Sequence, residues 1–185
     1  ILFLGYEYFD YHKKIRDKLL FFGAQVDYFP VMNYNLKFTL LRRLSKKLFI
    51  KHNFNHAERI LKYCDSKEYD YVFVIDGKQL PKYFYTKLKL LNPKSKFINY
   101  HWDSDRINEF GNTILDIIDF FDLVFSFDFK DCTIHKKLKY LPLFYSEKKK
   151  INNKLKKYDL SFVGSVTNYR RYKFVKRIEK YALNN

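Results

Sequence analysis

Short apolar runs alternate with longer amphipathic stretches along most of this chain. Ile1–Gly5 is an apolar run closed by glycine; a polar turn and a helical stretch at about Tyr11–Phe22 follow, and Gly23 stands where a helix C-terminal glycine belongs. Ala24–Phe29 alternates as a strand, closed by Pro30. Leu36, Leu40, Leu41, Leu44 and Leu48 recur at helical spacing and predict a helix over about Leu36–Ile50, with a second over Asn55–Ser66. Tyr69–Asp76, dense in β-branched and aromatic residues, predicts a strand buried on both faces. Pro81 opens the next helix, which ends near Asn92-Pro93. Further strands are expected at Lys96–Tyr100, Leu123–Phe127 and Tyr140–Leu143, with helices near Thr113–Phe120 and Lys130–Leu138 between them.

Strand and helix alternating at this spacing predict an α/β fold: a doubly wound, mostly parallel, Rossmann-like sheet covered by helices, with right-handed crossovers. In such sheets ligands bind beyond the carboxyl ends of the strands. That rule turns the strand ends into a shortlist: Gly5-Tyr6-Glu7, Asp76-Gly77-Lys78, His101–Asp105 and Asp128.

The pattern then breaks. Residues 146–157 carry six lysines and almost no core residue, which reads as a linker. Asp159–Gly164 is a fresh apolar strand, followed by a turn and a basic amphipathic helix. The expected organisation is a domain over residues 1–145, the linker, and over residues 158–185 the first β-loop-α unit of a second Rossmann-like domain that continues past Asn185.

Composition narrows the classes. Hydrophobic residues make up 47% of the 185, enough for a sizeable core. No run approaches the 18 or so apolar residues of a membrane span, and no signal peptide is visible. Cys64 and Cys132 fit neither a disulfide framework nor a zinc site, so a reducing cytoplasm is the simplest setting. His52 and His56 have i,i+4 spacing without a carboxylate motif and are expected on an exposed helix face; no metal and no cofactor is expected. Lys plus Arg is 36 against 20 for Asp plus Glu, a net charge of +16. Phosphates or an anionic membrane surface suit this surplus better than nucleic acid, because the basic residues are spread over helix faces rather than gathered in one stripe. Most of the 17 tyrosines and 20 phenylalanines are expected in the core rather than on a base-stacking platform.

Chemistry concentrates at His101-Trp102-Asp103-Ser104-Asp105. An imidazole beside carboxylates could deprotonate a sugar hydroxyl, which makes His101, Asp103 and Asp105 the catalytic candidates. Alternatively Asp103 caps a loop or helix and Asp105 pairs with Arg106. Gly5, Tyr6, Asp76, Gly77 and Asp128 are the substrate-binding candidates; Asp76-Gly77 could equally be a plain turn and Asp128 a helix cap. Phe162-Val163-Gly164-Ser165, with Arg170 and Arg171 following, would present backbone N–H groups and a guanidinium to an anion, so Gly164, Ser165 and Arg170 are candidates for a donor phosphate.

Tyr71–Gly77 (YVFVIDG), Asn99–Asp105 (NYHWDSD), Phe121–Asp128 (FDLVFSFD), Tyr140–Leu143 (YLPL) and Tyr158–Arg171 (YDLSFVGSVTNYRR), taken in order, resemble the CgeB-like, spore-maturation-type family of bacterial glycosyltransferases, which has the two-domain GT-B architecture. The resemblance implies metal-independent transfer of a sugar from a nucleotide-sugar donor to a saccharide or lipid-linked acceptor in cell-surface polysaccharide synthesis. It implies an acceptor-side first domain, a donor-side second domain, and little activity for these residues alone. The competing readings are a non-catalytic α/β binding or regulatory domain and a basic nucleic-acid-binding module.

Overall fold

The computed structural model describes residues 1–33, 40–41, 43–103, 112–145, 161–162, 164, 166 and 169–183. The chain divides into two compact units, Ile1–Glu147 and Lys148–Asn185. The first holds β1 (Leu2–Gly5), α1 (Tyr11–Phe21), β2 (Asp27–Pro30), α2 (Lys46–Cys64), β3 (Tyr71–Ile75), α3 (Lys82–Leu91), β4 (Lys96–His101), two 3-10 turns (Ile114–Asp116 and Ile118–Phe120), β5 (Leu123–Ser126), α4 (Phe129–Ile134) and β6 (Leu138–Tyr140). In the second, the described helix is α5 (Tyr169–Leu183), where the sequence predicts a basic amphipathic helix.

All six strands are parallel and lie in the order β2-β1-β3-β4-β5-β6. The fold is thus α/β and Rossmann-like, as the alternation of elements predicts. The β1-to-β2 connection steps to one side of β1, and the later crossovers step to the other. With right-handed crossovers, α1 must then lie on one face of the sheet and α2 and α3 on the opposite face. Side-chain contacts agree: α1 borders Phe73, Ile98 and Phe125, whereas the Tyr85 ring of α3 packs against Phe121 and its hydroxyl lies beside Gly77 and Val74.

The two faces are unequally covered. Leu2, Leu4, Val72, Val74, Phe97 and Val124 are fully buried under α2, α3 and the 3-10 turns. On the α1 face, Phe3, Ile75 and Tyr100 are buried, whereas Phe73, Ile98 and Phe125 are only half-buried. The expectation that β3 is buried on both faces holds at Val72, Val74 and Ile75 and fails at Phe73, which is half-buried, and Tyr71, which is exposed.

Local signals explain the ends of α1. Gly23 at φ 86° lets Ala24 N–H donate to Leu19 O (3.1 Å) and Gly23 N–H to Leu20 O (2.9 Å), a Schellman stop. Strand β2 starts only at Asp27, after this motif, rather than at Ala24. Helix α2 starts at Lys46, where the Ser45 hydroxyl accepts from Leu48 N–H. It runs unbroken to Cys64, so the boundary expected between the helices over 36–50 and 55–66 is corrected to Ser45, before which Leu40, Leu41, Arg43 and Leu44 are helical as well. No breaker stands between Ile50 and Asn55, and Phe49, Asn53, His56, Ile60 and Cys64 keep one buried stripe.

The helix expected at Thr113–Phe120 is instead two 3-10 turns. Thr113 and Asp116 satisfy each other in a capping box, and Ile117 leaves helical geometry (φ −120°, ψ −3°). Helix α4 stops at Ile134 because His135 is extended and its Nδ1 accepts from Lys137 N–H (3.2 Å). The last strand consequently falls at Leu138–Tyr140, earlier than expected. The strand predicted at Asp159–Gly164 lies mostly outside the described residues. Among those described, no helix is long and apolar enough to cross a membrane, and Cys64 and Cys132 are not joined in a disulfide.

Candidate functional site

The sheet order reverses direction between β1 and β3, which makes the carboxyl ends of these strands the topological switch point. Gly5-Tyr6 leaves β1 there, Asp76-Gly77 leaves β3, and His101 ends the neighbouring β4. Asp76 (φ 60°) and Gly77 (φ 78°) are consecutive left-handed residues. Glycine has no penalty in that region, whereas aspartate is strained by about 1–2 kcal/mol. A Cβ at position 77 would collide with the Tyr85 hydroxyl and the Val74 side chain. Hydrogen bonds fix the kink: Asp76 N–H donates to Tyr100 O (3.0 Å), Asn99 Nδ2 donates to Asp76 O (2.8 Å), and the Tyr85 hydroxyl donates to Gly77 O (2.7 Å).

The kink places the Asp76 carboxylate among four side chains. Tyr6 donates its hydroxyl to Oδ2 at 2.8 Å and Gln79 Nε2 donates at 3.3 Å; His101 Nδ1 is 3.0 Å from Oδ1, and Lys78 Nζ is 3.8 Å away. All of these groups except Gln79 are nearly sealed from solvent, with Asp76 3% and His101 0% exposed. Burial alone would push the Asp76 carboxyl up. The hydrogen bond and charge of His101, the charge of Lys78 and the Tyr6 hydrogen bond outweigh burial, and the carboxyl sits below its ordinary value. In turn, burial and the Asp76 charge hold the Tyr85 hydroxyl well above its ordinary value, so it remains a hydrogen-bond donor.

A carboxylate facing Nδ1 favours the proton on that nitrogen and leaves Nε2 as the basic one. Chemically, this is an imidazole oriented by a carboxylate at the carboxyl ends of β3 and β4, with Nε2 as buried as Nδ1.

An aromatic ladder adjoins the carboxylate. Tyr6 stacks between Tyr8 (5.4 Å, 8°) and Trp102 (6.0 Å, 16°). Tyr11 meets Trp102 and Phe144 edge-on at 6.1 and 5.8 Å. Beside it, Phe9 and Asp10 are also left-handed (φ 48° and 59°), and the Phe9 ring is 88% exposed. Two strained residues presenting an aromatic ring to water at a crevice mouth are a feature of binding loops.

Of the residues the sequence nominates, the structure gathers Tyr6, Asp76, Gly77 and His101. Gly5 is buried within β1, and its carbonyl accepts from Val31 N–H (3.0 Å) and the Tyr28 hydroxyl (3.3 Å). Asp103 is exposed one residue beyond Trp102, and Asp105 lies outside the described residues. Asp128 caps α4 through Lys130 N–H (2.9 Å). Gly164 and Arg170 are exposed in the second unit, and Ser165 lies outside the described residues.

The histidine expectation is corrected. His56 is 6% exposed, with Nε2 2.7 Å from Pro30 O, because its turn of α2 faces the sheet. Burial holds it below its ordinary value. Sequence reasoning shortlisted Lys78 as a strand-end residue without giving it a role, and it missed Gln79, Asn99 and Tyr85. For Asn99 a signal existed, since it lies two residues before His101 and shares its face of β4. Among the described residues no group of three His, Cys, Asp or Glu side chains could hold a metal ion.

Comparison of the chain with protein-family models, with curated proteins and with solved structures finds no match.

Proposed function

We propose that this chain forms the acceptor-binding part of a glycosyltransferase that uses a nucleotide-sugar donor. The observation that carries the reading is the buried Asp76–His101 pair at the switch point, with Tyr6 joining it to an aromatic ladder. Aromatic faces beside a hydrogen-bonding carboxylate suit a sugar ring, whose C–H face is apolar and whose hydroxyls need partners.

In the reaction, His101 Nε2 removes the proton from the acceptor hydroxyl while Asp76 holds Nδ1–H and stabilises the imidazolium that results. The freed oxygen forms a bond to the anomeric carbon as that carbon's bond to the donor phosphate breaks, and the nucleoside diphosphate leaves with the electron pair. Asp103, exposed next to Trp102, serves as a hydroxyl-binding group rather than the base.

The test is steady-state and binding measurement on the natural full-length protein. His101→Ala should lower turnover by about 100-fold or more, the usual range for a general base, and leave nucleotide-sugar affinity within about twofold. Asp76→Asn should lower turnover and shift the acid limb of the pH–rate profile, which a purely structural role would not do. Undiminished turnover in His101→Ala removes this residue from the chemistry.

A further inference from the structure

The half-covered face of the sheet follows from its topology. Six strands spaced about 4.8 Å apart span about 24 Å, whereas one helix is about 10–12 Å wide. Helix α1 cannot roof the face alone. What remains is a groove of about 590 Å³, floored by Phe73, Ile75, Ile98, Tyr100 and Phe125, within the size range of small-molecule sites.

One wall is α1, with Ile15 and Leu19 inward and Lys14 and Lys18 along the rim; the other includes Leu141, Pro142, Phe144 and Tyr145, returning from β6. The returning segment is tied down where the Tyr100 hydroxyl donates to Pro142 O at 3.0 Å. Its Phe144 ring also meets Tyr11, which meets Trp102, so the groove wall adjoins the aromatic ladder.

We propose that this groove holds the hydrocarbon chain of a phosphorylated, single-chain amphiphile, with the phosphate at the lysine rim and the head group at the Tyr6–Trp102 ladder. Resting on the transferase reading above, this makes the acceptor lipid-linked. Two observations select this occupant. The floor offers no polar partner except at Tyr100, which suits a hydrocarbon chain, while the rim is cationic, which suits a phosphate. The groove wall also adjoins the ladder through the Phe144–Tyr11 contact, so one molecule with an apolar tail and a polar head can reach both.

Trp102 is the only tryptophan of the chain, so its fluorescence reports the junction directly. The probe is farnesyl monophosphate below its micelle concentration, with farnesol and inorganic phosphate as controls. Saturable binding is expected, at least tenfold tighter than farnesol, with no response to phosphate alone. Lys14→Glu combined with Lys18→Glu should weaken it at least tenfold, as should Phe125→Lys. The same charge change on α2, on the opposite face of the sheet, Lys51→Glu with Lys62→Glu, should leave it within twofold. Unfolding curves show which variants remain folded, and the lysine pair tests the proposal even if Phe125→Lys does not.

Binding that ignores the groove variants, equals that of farnesol, or is matched by phosphate alone overturns the proposal. If the probe fails to bind while nucleotide-sugar turnover onto a soluble saccharide proceeds, the lipid-linked acceptor falls and the transferase stands. Groove-dependent binding with no turnover on any nucleotide sugar does the reverse.

Discussion

On the face of the sheet formed by Leu4, Val74, Phe97 and Val124 every one of these side chains is sealed from water, whereas on the other face Phe3, Ile75 and Tyr100 are buried but Phe73, Ile98 and Phe125 stay half-exposed. Residue type does not explain the contrast, because aromatic and β-branched side chains occur on both sides. Connection direction does. The crossovers after β2 all step the same way and deliver their helices to one face, and only the β1-to-β2 crossover delivers a helix to the other. Hydrophobicity decides that a strand wants cover; chain topology decides whether it receives any.

The sharpest way to break this comparison is to truncate one phenylalanine on each face. Phe97→Ala, at a fully buried position, should cost about 3–5 kcal/mol, and Phe125→Ala about 1 kcal/mol, read as the difference in urea unfolding midpoint at constant m-value. Equal costs would mean that the second face is covered in solution.

A smaller loss, about 1–3 kcal/mol, is expected for Gly77→Ala, where a left-handed backbone and the crowding by Tyr85 and Val74 act together. The same substitution at Gly23 is left-handed too but meets nothing within 4 Å. It should cost about 1 kcal/mol, and the difference between the two isolates the crowding on the closed face.

The mildest test is acid titration. The Asp76 carboxyl lies below its ordinary value of 3.8 in the folded state. The unfolded chain therefore takes up this proton first, and stability falls as pH drops below about 3.8 towards the folded value. His56, held below its ordinary 6.5, adds a loss that begins nearer neutrality by the same sign. Asp76→Asn should flatten only the lower part of a plot of unfolding free energy against pH. A slope unchanged below pH 4 would show that Asp76 is not held charged.

Much of this architecture was legible in the residues. Apolar runs of four to six residues closed by Gly, Pro or Asp, alternating with amphipathic stretches, give the parallel sheet, and Gly23 marks a helix end because no other residue enters that conformation as easily. Errors fell where tertiary contacts overrule local preference. Lys82 of α3 holds Asp116 (3.1 Å) in a stretch that breaks at Ile117 into two short turns, and His56, which looks like one more polar helix residue, is drawn inward by Pro30 O.

The site was half legible. Asp76 and His101 stand out as polar residues ending apolar strands, and the rule for open sheets points to both. Their partnership was not visible, because it depends on β3 and β4 being neighbours in register, with Ile75 opposite Tyr100. Nor could the sequence show that Tyr6, 70 residues before Asp76, reaches back to it. Long-range pairs of this kind are fixed by strand order, which local patterning does not encode.

The alternation of β-strand side chains has one more consequence here, for the way such a protein changes over generations. Along β3, β4 and β5, adjacent codons fall under different selective regimes: substitutions at Val74, Phe97 or Val124 are judged by whether the chain folds, and those at Phe73, Ile98 or Phe125 chiefly by what the groove admits. On the groove reading proposed above, ligand preference can drift at these three positions with less loss of stability than at their neighbours.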